Sequence, residues 1–263
     1  MNVTVCELHS GSERFAADWE LLVDHVQQAG SDLVLLPEMI CHPWLAASND
    51  VDPAKWAEAV AAHDTWLSRF EELAPASVIG SRPVVINGKH FNQGFAWDAE
   101  MGLRTVHTKY YLPNEPGYWE AHWYQRSEEK RFDAFTLNNA SEEHPTRVGM
   151  MICTDLWFTE HARDYARQGI DLVVCPRATP LNSREKWIAG GQAAAIMAGA
   201  YSLSSNHTGP VDETLSMAGT GWIIDPDGQV LGRTSPEKPF LTLNIDLGRA
   251  HAAKTSYPRY VLE

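Results

Sequence analysis

Three residues in this sequence close apolar stretches with side chains able to share one reaction. Glu38 ends Leu35-Leu36-Pro37-Glu38, Lys109 ends Thr105-Val106-His107-Thr108-Lys109, and Cys153 ends Val148-Gly149-Met150-Met151-Ile152-Cys153. A free thiol ionises near about 8.5, so only a few per cent is thiolate at neutral pH. A neighbouring ammonium or helix N-terminus lowers that value and supplies the nucleophile. A carboxylate within hydrogen-bond reach can take the thiol proton and later hand it to a leaving amine. The lysine, with the backbone N–H of Thr154, can stabilise the oxyanion of a tetrahedral intermediate. Taken singly, each residue has a plainer reading: a small buried hydrophobe, a turn carboxylate and an exposed strand-end cation. Together they describe acyl transfer through a thioester.

Other constellations are weaker. Cys6, His9 and Cys41-His42 have metal-like spacing, but residues three apart on a strand point to opposite faces, so no metal is expected. Ser202, Ser204 and Ser205 cluster without a glycine-rich serine loop, and His9-Ser10-Gly11-Ser12 is too short to cradle phosphates.

The elements that must position the trio read as alternating strands and helices. Residues 3–8 are strand-like. Residues 14–28 place Phe15, Trp19, Leu22, Val23 and Val26 on one helical face, with Ser12 as N-cap and Gly30 as the stop. The apolar run 33–36 suits a buried strand. Asp52-Pro53 opens a helix whose stripe runs through Trp56, Val60, Trp66, Leu67, Phe70 and Leu73. Strands follow at 77–86, 91–97 and 103–108, the first two joined across Asn87-Gly88, a hairpin signal. Further on come a strand at 147–153, a helix at 159–168, a strand at 172–175 and an Ala-rich helix at 185–199. Strands at 201–205, 222–224, 229–231 and 241–245 close the chain, with the turn Asp225-Pro226-Asp227-Gly228 between two of them. Alternation of this kind means α/β layers. Without repeats, low-complexity tracts or a Pro/Gly/Ser-rich linker, residues 1–263 read as a single domain.

Bulk properties narrow the partners. Hydrophobic residues are 44% of the chain and the net charge is −13 with no Lys/Arg-rich run, which excludes a basic face for nucleic acid or anionic membrane. No apolar run approaches the ~18 residues of a membrane span. The N-terminus lacks the pattern of a signal peptide, and four scattered cysteines do not make a disulfide scaffold, so reduced thiols and a cytoplasmic location are expected.

Leu36-Pro37-Glu38-Met39, then His107-Thr108-Lys109 with Leu112-Pro113 and Pro116-Gly117-Tyr118-Trp119-Glu120, then Gly149-Met150-Met151-Ile152-Cys153-Thr154-Asp155 resemble the three signature segments of the nitrilase superfamily. They come in the family's order, with reactive groups 71 and 44 residues apart. Asp171-Leu172-Val173-Val174-Cys175-Pro176, the stretch 219–228 and Tyr257-Pro258-Arg259-Tyr260 extend the resemblance over nearly the whole chain. It implies a four-layer αββα sandwich, a Glu–Lys–Cys triad, dimerisation through the outer helices and no cofactor. It also places a second glutamate in the site, at Glu120. Glu115, in the turn-like Asn114-Glu115-Pro116-Gly117, is expected to face solvent. One departure is the run Ala194-Ala195-Ile196-Met197-Ala198, where many members carry Arg-Ala-x-Glu-Asn.

Cys153-Thr154-Asp155-Leu156-Trp157-Phe158 resembles the amidase and carbamoyl-amine branches, with an aromatic pair after the cysteine. The resemblance therefore implies hydrolysis of a small amide with release of ammonia. N-carbamoyl amine hydrolysis or nitrile hydrolysis is the alternative, and a catalytically silent scaffold is the non-enzymatic one. Trp119, Trp123 and Trp157 are candidate pocket walls. Arg177, just past a strand, could bind a substrate carboxylate or carbonyl, or pair with Glu160 or Asp155.

Overall fold

The computed structural model describes residues 1–138 and 145–261. The chain lays down β1 (Asn2–His9), α1 (Ser12–Ala29), β2 (Leu33–Glu38), α2 (Pro53–Leu67), β3 (Ser77–Ile86), β4 (Lys89–Asp98) and β5 (Gly102–Thr108). It continues through the short α3 (Glu120–Trp123), β6 (Phe135–Thr136), β7 (Arg147–Met150), α4 (Glu160–Arg167), β8 (Leu172–Arg177) and α5 (Arg184–Ala198). The last part is β9 (Tyr201–Pro210), β10 (Ser216–Ala218), β11 (Trp222–Ile224), β12 (Val230–Arg233), β13 (Phe240–Asn244) and α6 (Leu247–Ala253).

The strand order is β5-β4-β3-β2-β1-β9-β8-β7-β6. The five central pairings, from β3 through β2, β1, β9 and β8 to β7, are parallel. Antiparallel hairpins extend both ends. β1 joins the two halves: its residues 3–5 pair with β2, and Glu7, Leu8 and His9 pair with β9.

Period-two alternation sorts the strand residues into layers. Val3, Val5, Leu33, Leu35, Ile79 and Ala96 share one core with Val148, Met150, Leu172, Val174 and Leu203, so the two halves of the sheet face each other. The intervening residues Cys6, Leu8, Val34, Leu36, Val78 and Phe95 form a second core with Phe15, Trp19 and Leu22 of α1. On the opposite outer face α4 sets the Tyr165 ring against Gly149, and α5 brings Gly191 onto Trp222. Helices, two sheet layers and helices again make the four-layer αββα sandwich.

Local signals account for most boundaries. Asn87 and Gly88 both adopt positive φ (52° and 73°), as a two-residue hairpin with right-handed twist requires. The Asp52 side chain caps α2 by accepting from Ala54 N, with Pro53 in the first turn. Several boundaries differ from the sequence reading: β8 runs on to Arg177 and β9 to Pro210, and three further differences bear on the site and its packing. α1 begins at Ser12 itself, with Gly11 as its cap residue. The stripe from Trp56 to Leu73 is two pieces, because α2 stops at Leu67 and Phe70–Leu73 forms a separate 3-10 turn. β7 ends at Met150, three residues before Cys153, where the chain turns with φ 48° into the 3-10 turn Cys153–Trp157.

The tight seat of Tyr165 gives a test of the layer packing. A Cβ at residue 149 would meet the tyrosine ring at 2.7 Å, and the Tyr165 hydroxyl donates to Met150 O at 2.8 Å. Gly149→Ala is expected to lower stability by about 1–3 kcal/mol, the usual cost of overpacking a filled core. Urea unfolding would show it; an unchanged midpoint would mean that the α4 layer is loosely packed.

Candidate active site

β2 delivers Glu38 to a fully buried position. A register shift against β3 accompanies the end of the strand, and the next residue, Met39, turns with φ 46°. Glu38 Oε1 accepts from Lys109 Nζ at 2.8 Å and from Asn92 Nδ2 at 2.7 Å. Its backbone carbonyl accepts from His207 Nε2. β5 ends just before Lys109, whose own N–H donates to Asn92 O at 3.0 Å, so Asn92 fixes both partners of the pair. Lys109 Nζ also meets Glu120 Oε2, and the same oxygen accepts from the Tyr124 hydroxyl. Glu120 opens α3 and, like Lys109, has no solvent exposure. The structure thus brings together Glu38, Lys109 and Glu120, three residues from three separate elements.

Electrostatics follow from burial. Burial alone would push the Lys109 ammonium down, but Glu120 and Glu38 reverse this and hold it well above its ordinary value. Burial pushes the Glu120 carboxyl up to about 7, against the pull of Lys109 and with help from Glu38. The Cys153 thiol is pushed well up, first by burial and next by Glu38, while Lys109 pulls it down less strongly. A cation nearby was expected to supply thiolate; here its charge is already shared by two carboxylates. That balance favours the protonated thiol, so a Cys153 that attacked a carbonyl would need a base to take its proton.

Cys153 occupies the left-handed region, where a non-glycine residue is held at a cost of order 1–3 kcal/mol. Such strain persists only where surrounding contacts determine it. The Asp155 carboxylate is among the groups that meet this turn. Its Oδ2 accepts from Ile152 N at 3.1 Å and from His107 Nε2 at 2.9 Å, and its Oδ1 accepts from Tyr111 N at 3.0 Å and Tyr110 N at 3.3 Å. The sequence reading missed Asn92, His107, Asp155 and Tyr124. Asp155 and His107 stood inside the quoted signature segments, but nothing in their spacing pairs them.

Beside the thiol lies a cavity of about 790 Å³, within the usual range for a small-molecule site. Cys153, Thr154 and Trp157 line it together with Tyr118, Trp187 and Leu215. Trp157 is 42% exposed and packs on Trp187, with ring centroids 4.8 Å apart. Trp123 is not among the lining residues: it is buried, and its Nε1 donates to Ser48 O at 2.6 Å. Trp119 packs with Trp123 in the same apolar cluster rather than lining the cavity. Glu115 is exposed but does line the cavity.

Arg177 does not pair with Glu160 or Asp155. It is buried, donates to Ser204 Oγ, Thr179 Oγ1 and Thr220 O at 2.7–2.8 Å, and lies 4.1 Å from the Trp222 ring centroid. All three sides of its guanidinium are spent on holding the end of β8. Cys6 Sγ donates to Leu35 O, and His9 pairs with Asp18 at 2.9 Å, so neither side chain is directed to a shared ligand. In the run that stands in place of Arg-Ala-x-Glu-Asn, Ala194, Ala195 and Ala198 are fully buried and Met197 is half-buried.

A thiol on a strained turn thus lines a cavity close to a buried ammonium and two carboxylates, the set of groups that acyl transfer through sulfur requires. Residues 2–255 match the carbon–nitrogen hydrolase family, and the chain belongs to that family, within the nitrilase superfamily. Among curated relatives it is 24% identical over 262 residues to a glutamine-dependent NAD(+) synthetase of Rhodobacter capsulatus, covering 98% of this chain but 44% of that protein. It is 25% identical over 236 residues to an N-carbamoylputrescine amidase of Oryza sativa subsp. japonica, covering 81% of this chain and 73% of the other. Among solved structures, an amidase variant from Nesterenkonia sp. AN1 superposes with a TM-score of 0.76 at 18% identity, covering 96% of this chain and 92% of that one. It shows covalent addition of the acetamide moiety of fluoroacetamide at its active-site cysteine.

Access to the cavity and a neighbouring base together predict the order of thiol reactivity. Cys153 lines the cavity with the Glu38 carboxylate close by, whereas Cys6 and Cys175 have no exposure and Cys41, though 8% exposed, is buried enough that its thiol is pushed up. Limiting iodoacetamide near neutral pH is expected to label Cys153 well before the other three, with activity lost in step. Peptide mapping that found Cys41 labelled first, with activity intact, would remove Cys153 from the chemistry.

Proposed function

We propose that the protein hydrolyses a non-peptide carbon–nitrogen bond in a small amide through a thioester on Cys153. The observation that carries this reading is the Lys109 ammonium shared by Glu38 and Glu120 beside a cavity-lining cysteine. Glu38 Oε2 and Glu120 Oε1 are both buried, and among the described residues neither finds a hydrogen-bond partner. One is free to take the thiol proton and the other to accept from the substrate amide.

In the first half-reaction Sγ attacks the carbonyl carbon as Glu38 removes its proton. Charge then develops on the carbonyl oxygen, where the Lys109 ammonium and Thr154 N–H are the donors. Collapse of the tetrahedral adduct breaks the C–N bond while Glu38 returns the proton to nitrogen, so ammonia leaves and the acyl group stays on sulfur. In the second half Glu38 takes a proton from water, hydroxide adds to the thioester carbon, and the acid is released with the thiol restored. Glu120 keeps Lys109 charged and fixed throughout. The nitrilase-superfamily alternative is N-carbamoyl amine hydrolysis, which the similarity to the rice N-carbamoylputrescine amidase supports.

Assays of ammonia release across short neutral amides, ureido compounds and nitriles would test the class. Amides are expected to turn over, hydroxylamine to trap the acyl group as a hydroxamate, and Cys153→Ser to remain folded with nearly all turnover gone. Hydrolysis of nitriles but not of the matching amides, or turnover by Cys153→Ala, would overturn the reading.

The two nearby glutamates separate roles within the site. Glu120→Gln is expected to lower turnover by ~10²-fold or more, the scale for groups that position reacting atoms. Glu115→Gln, at an exposed position, should change turnover on small amides by less than about threefold, under roughly 1 kcal/mol of barrier. Steady-state kinetics showing the reverse pattern would move the role to Glu115.

A further inference from the structure

The mechanism above leaves one buried ionisable pair unused. His107 stands on β5 two residues before Lys109, which directly follows the strand. Its side chain is 2% exposed, its ring lies 4.8 Å from that of Phe132, and Nε2 reaches Asp155 Oδ2 at 2.9 Å. Asp155 is itself fully buried. A carboxyl group buried this deeply needs hydrogen-bond donors, and the origin of its four is informative. Ile152 N–H comes from the residue immediately before the nucleophile, and Tyr110 and Tyr111 N–H come from the two residues immediately after the lysine. His107 supplies the fourth from the strand that carries the lysine. A single carboxylate therefore spans the gap between the sheet half that presents Lys109 and the half that presents Cys153. Its bond to Ile152 N–H lies immediately beside the turn at Cys153, where φ is 48°.

We propose that the His107–Asp155 pair is a positioning device that sets the location of the Cys153 thiol relative to Lys109 and Glu38, with His107 as the residue that keeps Asp155 directed across the gap. The inference rests on Cys153 being the nucleophile of the proposed reaction. His107 touches Asp155 rather than the reacting groups, so it acts through geometry. Its removal should appear in the chemical step and in thiol reactivity, not in substrate affinity. Without the imidazole donor Asp155 keeps only main-chain partners and can rotate toward Ile152 or toward Tyr110 and Tyr111, relaxing the strained turn. Displacement of a reacting atom by about an ångström costs ~10²-fold in rate.

The test compares His107→Leu with His107→Gln. Leucine fills the space without a donor, whereas the glutamine amide can still donate toward Asp155. His107→Leu is expected to lower kcat by ~10–100-fold with KM for a short amide changed by less than about threefold. In the same variant iodoacetamide labelling of Cys153 should slow in parallel while circular dichroism and elution volume stay unchanged. His107→Gln should recover most of both losses. Wild-type turnover and labelling in His107→Leu would overturn the proposal. So would a loss of turnover that tracks the loss of folded protein, with labelling in the folded fraction unaltered, or a glutamine variant no better than leucine. If the unsubstituted protein released ammonia from no amide, the substrate reading would fail, while the labelling comparison would still decide the coupling.

Discussion

Lys109 carries its charge at zero solvent exposure, and an ammonium so placed is several kcal/mol unfavourable unless anions close around it. Glu38 and Glu120 do so, and each is itself buried. Removing one member of such a cluster leaves an uncompensated charge, which typically costs 3–5 kcal/mol, roughly, in a buried pair. The surrounding structure is arranged to hold the three together. Asn92 bonds both Glu38 and the Lys109 backbone, Tyr124 bonds Glu120, and His207 holds the main chain at Glu38. Burial, helped by the Glu38 charge and opposed by Lys109, pushes the Glu120 carboxyl up to about 7.

This arrangement also decides how the thiol is activated. A lysine free to pair with sulfur would favour thiolate at rest. Here the ammonium is already neutralised, and burial with the Glu38 charge holds the proton on sulfur. In the proposed reaction proton transfer accompanies attack, and the ammonium is kept for the negative charge that develops on oxygen. Electrostatic stabilisation of that kind is most effective where donors are fixed in advance in a dry site.

The αββα sandwich makes the arrangement possible by facing one half-sheet against the other. Glu38, Asn92 and Lys109 belong to β2, β4 and the end of β5, on one side of β1. Cys153 follows β7, on the other. Close approach of β4 to β7, where Gly94 leaves no room for a side chain beside Met150, brings the two sets together. Asp155 then joins them by hydrogen bonds at the open end of the strands. The groups on the outer face of the same elements are structural: Arg177 ties β8 to β9 and to the loop at Thr220.

The sequence alone singled out Glu38, Lys109 and Cys153, the alternation of strands and helices, the Asn87-Gly88 hairpin and the place of Trp157 close after Cys153. These are written in local composition: apolar periodicity, turn residues with positive φ, and short segments whose residue order is itself the signal. Tertiary structure decided what local order does not contain. Glu38 meets Asn92 across 54 residues and His107 meets Asp155 across 48, contacts that exist only because strand register and the facing of two half-sheets place them. Periodicity could not separate Trp157, which lines the cavity, from Trp123, which lies in the core, since both follow apolar spacing. Nor could it foresee that Arg177 would be enclosed by hydroxyl and carbonyl oxygens, or that β7 would stop three residues early to turn Cys153. The direction of the thiol's shift came last of all, because it is a balance of burial against charge that depends on where every neighbouring group finally lies.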